Sequence, residues 1–130
     1  MKNYLAVDSG GSKVLAILYD EDFRPVKTCR VGSMRDNTTS ASLVRRNVDT
    51  LIENLGLAGM EIDCLCGIVD GGLPDRLRST GAIIRSASGC GELEAGLSAA
   101  ELFGDALMAL SGTGATLFYQ IGRASCRERV

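Results

Sequence analysis

Strand-length apolar runs, separated by short glycine-rich breaks, constrain the fold of this chain more than any other feature of its sequence. The first two runs, residues 4–7 and 14–19, lie on either side of a glycine pair. A third strand is predicted over residues 24–31, with Pro25 at its start, where a missing N–H does least harm to a sheet. Three strands this close together predict an antiparallel meander.

Helices and strands alternate after the meander. Apolar residues at helical spacing predict a helix from Leu43 to Leu55, with Ser40 or Ser42 as its N-cap and Gly56 as its end. The order βββαβαβα, followed by the start of a β-hairpin, predicts an α/β fold with a mixed sheet and helices on its faces. The other predicted elements are a continuous buried strand at 62–69, a short helix at 73–79, a strand at 82–84, a helix at 92–103, a strand at 106–110 and a returning strand at 115–119.

Size and charge restrict the class of protein. The chain has 130 residues, 45% of them hydrophobic, which fits one folded domain and is too apolar for a disordered segment. A net charge of −2 and a pI near 5.1 argue against nucleic acid or an anionic membrane as the main partner. No apolar run approaches the roughly 18 residues of a membrane span, and the first residues do not resemble a secretory signal. A cytoplasmic protein is expected.

The absence of histidine excludes whole classes of chemistry. Ser-His-Asp and Cys-His catalysis, histidine metal sites and imidazole acid–base steps are all ruled out. Any proton transfer must therefore use a carboxylate, Lys, Tyr or Cys.

The cysteines do not form a recognisable metal or redox motif. There are five, an odd number, and none has the two-residue gap of zinc or thioredoxin-type pairs. Cys64 and Cys66 are two apart, so on a strand both would face one side of the sheet. We interpret the cysteines as buried, reduced thiols.

Three glycine-rich breaks follow predicted strands, at residues 8–13, 70–72 and 111–115. Backbone without Cβ atoms can approach a phosphate closely, and its free N–H groups bind anions. Each break alone could equally be a tight turn. The usual nucleotide signatures, including the Gly-x4-Gly-Lys-Ser/Thr loop, are absent. Together the three breaks favour a nucleotide site.

The pattern Asp8-x-Gly10-Gly11-Ser12-Lys13, between two strands of a hairpin, resembles the first phosphate loop of the actin-like ATPase and sugar-kinase superfamily. Residues 110–115 (LSGTGA) resemble its second phosphate loop. Within that superfamily, residues 4–119 most resemble the N-acetylglucosamine kinase branch, grouped with the BadF/BadG/BcrA/BcrD ATPase family.

The resemblance implies a ribonuclease H-like fold with ATP, Mg²⁺ and a sugar bound between two domains. It divides the chain into a first domain at 1–110, the start of a second domain at 111–121 and a tail at 122–130. We interpret the arginine-rich tail as non-native; the alternative is a natural, solvated C-terminus. The expected partners are ATP and a sugar substrate, with no nucleic acid and no membrane, and a homodimer of the full-length protein stays open. A chain that covers only the first domain is expected to be inactive by itself.

The resemblance also assigns roles to individual residues. Lys13 fits the last position of the first loop, although a solvated charge is an equal alternative. Asn37 matches a sugar-contacting asparagine, or else forms a turn beside Asp36. The resemblance implies that Asp8 is the magnesium-side carboxylate and that the γ-phosphate is bound by Gly10, Gly11 and Ser12. It implies a second phosphate-binding loop formed by Ser111, Gly112, Thr113 and Gly114.

One departure concerns the catalytic base. Sugar kinases of this type carry an Asp at the mouth of the third helix, where this chain has Glu92. Glu92 is therefore the predicted base, with a helix N-terminal Glu favoured by the dipole as the alternative. Asp70 is a second cleft carboxylate, or a structural turn residue. The leading hypothesis is an N-acetylhexosamine kinase; the alternatives are an ATPase that drives a partner enzyme, and a catalytically silent nucleotide or sugar-binding module.

Overall fold

A computed structural model describes residues 1–101, 104–111, 115–121 and 124–129, the last range by its backbone and the side chain of Arg127. These residues form two compact units, Met1–Gly89 and Cys90–Val130. The first unit contains β1 (Tyr4–Ser9), β2 (Lys13–Tyr19), β3 (Pro25–Gly32), α1 (Ala41–Leu55), β4 (Glu61–Ile62), β5 (Cys64–Ile68), α2 (Leu73–Ser79), β6 (Ile83–Ile84) and β7 (Ala87–Gly89). The second contains α3 (Glu92–Ala99), β8 (Ala106–Ser111), β9 (Ala115–Ile121) and β10 (Ala124–Arg129).

A five-stranded mixed sheet in the order β3-β2-β1-β5-β7 is the centre of the first unit. Strands β1, β2 and β3 pair antiparallel, which confirms the predicted meander. Strand β5 runs parallel to β1, and β7 runs parallel to β5. Because parallel neighbours end at the same edge, the segments that follow β1 and β5 meet there.

Helix α1 covers one face of this sheet. Ser40 is its N-cap and accepts a hydrogen bond from the Leu43 N–H at 3.4 Å. Gly56 ends it in the left-handed conformation at φ +66°, as predicted. Leu43 itself is exposed, because it lies in the first turn, outside the buried stripe. The helix stripe packs with the inward-facing strand residues into one core, formed by Leu5, Val7, Val14, Ala16, Leu18, Val44, Val48, Leu51, Ile52, Leu55, Leu57, Ile62, Leu65, Leu73 and Leu77, among others.

The second unit is a three-stranded antiparallel sheet, in the order β10-β9-β8, with α3 on one face. Leu93 and Leu97 of α3 pack with Phe118 of β9. No helix in the described ranges has the length and apolar character needed to cross a membrane.

The prediction of one continuous buried strand at 62–69 is wrong. The segment forms two strands, because Asp63 leaves the ladder and exchanges hydrogen bonds with Asn3, N–H to Asn3 C=O at 2.8 Å and carboxylate from Asn3 N–H at 2.9 Å. Strand β4 pairs with β6 in a separate two-stranded sheet, and β5 joins the main sheet. The predicted strand at 82–84 is therefore confirmed only as this short partner.

Three further differences concern segments with weak local signals. Strand β7 was not predicted, because its Ala-Ser-Gly sequence has little strand preference and depends on pairing with β5. Strand β10 was not predicted either; its backbone pairs with β9. Helix α3 ends at Ala99 rather than at residue 103, since Glu101 has φ +56°, and residues 102–103 lie outside the described residues.

The cysteine prediction is confirmed only in part. Cys29, Cys64, Cys66 and Cys90 are reduced, and of these four Cys29 alone is buried. The other three are half-buried. Cys64 and Cys66 line one apolar cavity of about 320 Å³, as expected for alternate positions of one strand.

Candidate active site

The first glycine loop joins β1 to β2 as a tight hairpin. The Gly10 N–H donates to the Lys13 carbonyl at 2.8 Å, and a Cβ on Gly10 would lie only 3.0 Å from the same oxygen. The turn therefore favours glycine at this position. Gly11 is half-buried, whereas Ser12 and Lys13 are exposed.

Asp8 presents its carboxylate on the sheet face away from α1. It is exposed, and it lies opposite Leu15 of β2 and Ile68 of β5. A cavity of about 200 Å³ beside it is also lined by Gly10, Lys13 and Arg30. Two basic side chains therefore share this cavity with one carboxylate.

Arg30 was not among the site residues predicted from the sequence. It lies on β3 opposite Leu15, which lies opposite Asp8, so that the register aligns Asp8 and Arg30 on one face. The signal was strand alternation, but using it required the register between three strands, which the sequence alone did not supply.

Ser9 faces the opposite side of β1 from Asp8. Its side chain is 1% exposed, and its hydroxyl is the one buried side-chain polar atom in the described part of the chain that has no hydrogen-bond partner. A buried polar atom without a partner costs about 1–3 kcal/mol. Such a hydroxyl directly before the glycine loop is a candidate contact for a bound ligand.

The loop between β3 and α1, residues 33–40, lies against the first glycine loop. Arg35 donates from Nη2 to the Ser9 carbonyl at 3.0 Å, and Thr38 Oγ1 donates to the Gly11 carbonyl at 3.5 Å. Asn37, the predicted sugar contact, is exposed in this same loop. The structure thus brings the Asn37 segment next to the first glycine loop.

The second glycine turn, residues 70–72, follows β5 and lies against the same loop between β3 and α1. Gly71 has φ +69°, and a Cβ there would lie 2.9 Å from the Met34 carbonyl, so the turn requires glycine for its close approach. Asp70 accepts a hydrogen bond from Arg35 Nε at 3.1 Å. A cavity of about 380 Å³ lies at this junction, lined by Met34, Asp36, Ala41, Val44, Arg45, Asp70, Gly71 and Gly72.

The remaining predicted site residues belong to the second unit. Glu92 begins α3 and is half-buried, and Ser111 is exposed at the end of β8. Gly112, Thr113 and Gly114 lie outside the described residues. The roles of these five residues stay predictions.

No model of a protein family matches the chain, and no curated protein matches it. Solved structures do. The ethanolamine utilization protein EutJ from Carboxydothermus hydrogenoformans is 15% identical, over 99% of this chain and 52% of its own, with a TM-score of 0.54. A candidate N-acetylglucosamine kinase from Porphyromonas gingivalis is 15% identical, over 98% of this chain and 47% of its own, with a TM-score of 0.60. An inorganic polyphosphate/ATP-glucomannokinase from Arthrobacter sp. strain KM is 17% identical, over 98% of this chain and 62% of its own, with a TM-score of 0.56.

This chain has the fold of the actin-like ATPases and sugar kinases. The predicted fold class is therefore confirmed. At identities of 15–17%, the likeness concerns the fold and not the substrate. The chain spans roughly half the length of these structures, from 47% to 62%.

Proposed function

We propose that the protein is an ATP-dependent sugar phosphotransferase of the N-acetylhexosamine kinase type. The observation that carries the proposal is the first glycine loop, a tight hairpin with the exposed carboxylate of Asp8 at its base and the Asn37 loop beside it. The fold supports this choice, because two of the three solved structures named above are described as sugar kinases.

The residues at the first loop fit a magnesium–nucleotide complex. No three acidic, cysteine or histidine side chains cluster tightly enough to hold a metal unaided anywhere in the described residues. Magnesium in phosphoryl-transfer sites needs only one or two carboxylates, since waters and substrate phosphates supply its other ligands. Asp8 would hold the ion, which when bound neutralises charge on the transferred phosphoryl group. Lys13 and Arg30, on the same cavity, add positive charge.

The cavity at the second glycine turn fits the acceptor. Its volume of about 380 Å³ lies within the range usual for small-molecule sites. Asp36 and Asp70 offer carboxylate oxygens that accept hydrogen bonds from hydroxyl groups, and Asn37 lies in the same loop as Asp36. A polyhydroxylated substrate matches these acceptors better than an apolar one.

Glu92 is the proposed general base. It would take the proton of the attacking sugar hydroxyl while that oxygen bonds to the γ-phosphorus and the bond from phosphorus to the ADP oxygen breaks. Asp70 is the second candidate, but its carboxylate already accepts a hydrogen bond from Arg35.

The test is phosphoryl transfer by the full-length gene product, with Mg²⁺, ATP and a panel of N-acetylglucosamine, N-acetylmannosamine and glucose, followed as ADP release. We expect an N-acetylhexosamine to be preferred. Asp8→Asn should lower kcat/KM by roughly 100-fold or more, because it removes the magnesium-side charge. Asp22→Asn, at an exposed carboxylate in the β2–β3 turn, is the matched control and should leave kcat/KM unchanged.

Glu92→Gln distinguishes a role of Glu92 in general-base catalysis from a role in ATP binding. It should reduce turnover by the roughly 10²–10⁴-fold typical of lost general-base catalysis, while ATP affinity stays unchanged. Unaltered turnover would remove Glu92 from this role. A wild-type protein that transfers phosphate to none of the three sugars would contradict the proposed function.

A further inference from the structure

We propose that Arg35 is a positioning residue. It links the first glycine loop to the second glycine turn by hydrogen bonds and holds the first loop in the conformation that binds nucleotide. The nucleotide part of this inference rests on the proposed function. The structural part rests on contacts that Arg35 makes in three directions.

Arg35 connects the ends of two neighbouring parallel strands. Its Nη2 donates to the carbonyl of Ser9, the last residue of β1, at 3.0 Å. Its Nε donates to Asp70 Oδ2, two residues after β5, at 3.1 Å. Ser9 lies between Asp8 and Gly10, so the guanidinium holds the main chain at the point where the first glycine loop begins.

The base of the Arg35 side chain is itself held in place. Its backbone N–H donates to Ser33 Oγ at 3.1 Å, and Asn47 of α1 donates from Nδ2 to the Ser33 carbonyl at 2.8 Å. The neighbouring Met34 carbonyl lies against Gly71. The position of helix α1 is therefore linked through this loop to both glycine segments.

Only arginine suits this arrangement. Its planar guanidinium presents donors in fixed directions, so one side chain can bond a carbonyl and a carboxylate together. A lysine ammonium keeps the charge but is a single point on a flexible stem. Contacts formed before a ligand arrives lower the cost of ordering the loop when it binds.

The same unit offers a matched control in Arg76. It also binds an aspartate, Asp49, through Nε at 2.7 Å and Nη2 at 3.3 Å, and its side chain is 33% exposed, against 30% for Arg35. This pair joins α2 to α1. Arg35→Lys and Arg76→Lys each remove a guanidinium–aspartate contact, at two different places, and only the first should affect the first glycine loop.

The first experiment measures amide hydrogen exchange in the 130-residue chain itself. We expect Arg35→Lys to raise exchange at Gly10 and its loop neighbours roughly tenfold relative to Ala16 in the centre of β2, because the loop opens locally more often. Arg76→Lys should leave that ratio within about twofold of wild type. Equal ratios in wild type and Arg35→Lys would overturn the positioning role.

The second experiment measures Mg-ATP binding by the full-length protein with calorimetry. Arg35→Lys should weaken binding roughly tenfold while Arg76→Lys changes nothing. Equal affinity in wild type and Arg35→Lys overturns the inference and leaves the proposed function intact. Wild-type binding without sugar phosphorylation contradicts the proposed function and leaves the Arg35 comparison measurable. Absence of Mg-ATP binding by wild type overturns both.

Discussion

At the residue scale, the last two residues of β1, Asp8 and Ser9, face opposite sides of the sheet. Asp8 faces the exposed cavity with Lys13 and Arg30. The Ser9 side chain faces the interior, and its carbonyl accepts the Arg35 hydrogen bond. Strand alternation produces this division without any special backbone geometry. The Ser9 hydroxyl has no hydrogen-bond partner in the described structure.

Ser9→Ala should not destabilise the protein. Removal of a buried hydroxyl that makes no hydrogen bond should leave the free energy of unfolding unchanged or raise it by up to about 1 kcal/mol. If the hydroxyl contacts phosphate, Mg-ATP affinity of the full-length protein should fall in the same variant. Urea unfolding measures the free energy of unfolding, and calorimetry measures the Mg-ATP affinity. A loss of stability above about 1 kcal/mol would contradict the absence of a hydrogen bond to the Ser9 hydroxyl.

Among the glycines of the described residues, Gly67 of β5 is the one where a side chain is least tolerated. Its φ is +109°, and a Cβ would overlap the Val7 carbonyl of β1. Strained backbone and overpacking each cost about 1–3 kcal/mol, so Gly67→Ala should destabilise by about 2–6 kcal/mol. Gly59→Ala is the control, since Gly59 has φ +69° with nothing within 4 Å, and should show only the backbone part. Equal losses in the two variants, measured by denaturant unfolding, would show that β1 and β5 are not this close.

At the element scale, α1 and α2 are joined by a pH-dependent ion pair. The hydrogen bonds from Arg76 hold the pKa of Asp49 below its ordinary value of 3.8. Because the folded pKa is the lower one, the pair stabilises the fold fully above the unfolded pKa and loses this effect as pH falls through the folded pKa. The side chains of Arg76 and Asp49 are 33% and 43% exposed, so solvent reduces the size of the effect.

Acid unfolding tests this pair. The free energy of unfolding should fall more steeply in wild type than in Asp49→Asn as pH is lowered from about 6 to about 2.5, and the two curves should converge at the acid end. Thermal or urea unfolding across this range gives both curves. Parallel curves would mean that Asp49 does not titrate differently in the folded state.

The elements also show what the sequence could and could not predict. The meander, α1 with Ser40 and Gly56 at its ends, and the place of the first glycine loop follow from local signals, namely alternation, helical spacing and capping residues. The division into β4 and β5 was missed because it depends on Asn3, about sixty residues away from Asp63 in the chain. Strand β7, Arg30 and Arg35 were missed for the same reason: each depends on partners that only the folded sheet brings close.

At the scale of the whole molecule, the second unit exposes one apolar sheet face. Leu107 and Ile121 are 71% and 66% exposed, and Leu117 is 38% exposed. The register places all three on the side of β8 and β9 away from Met108 and Phe118, which pack with α3. Exposed apolar surface of this kind promotes association.

We therefore expect the 130-residue chain to self-associate. Leu107→Lys combined with Ile121→Lys should shift it toward monomer in light scattering after size exclusion, whereas Phe23→Lys, at another exposed apolar residue, should not. A monomeric wild-type chain would contradict this expectation.

The pairing of β1 with a near strand on one side and a distant strand on the other also bears on the order of folding. Strands β1, β2 and β3 are joined by short turns, whereas Asn3 and Asp63, at the start of the β1–β5 pair, are separated by 60 positions in the chain. Closing so long a loop costs more entropy than forming a hairpin, and non-local parallel pairing slows folding. We expect the meander to form early and β5 to dock late. The edge that carries both glycine segments would then be completed last, so a nascent chain would acquire its candidate ligand site only after most of its core had formed.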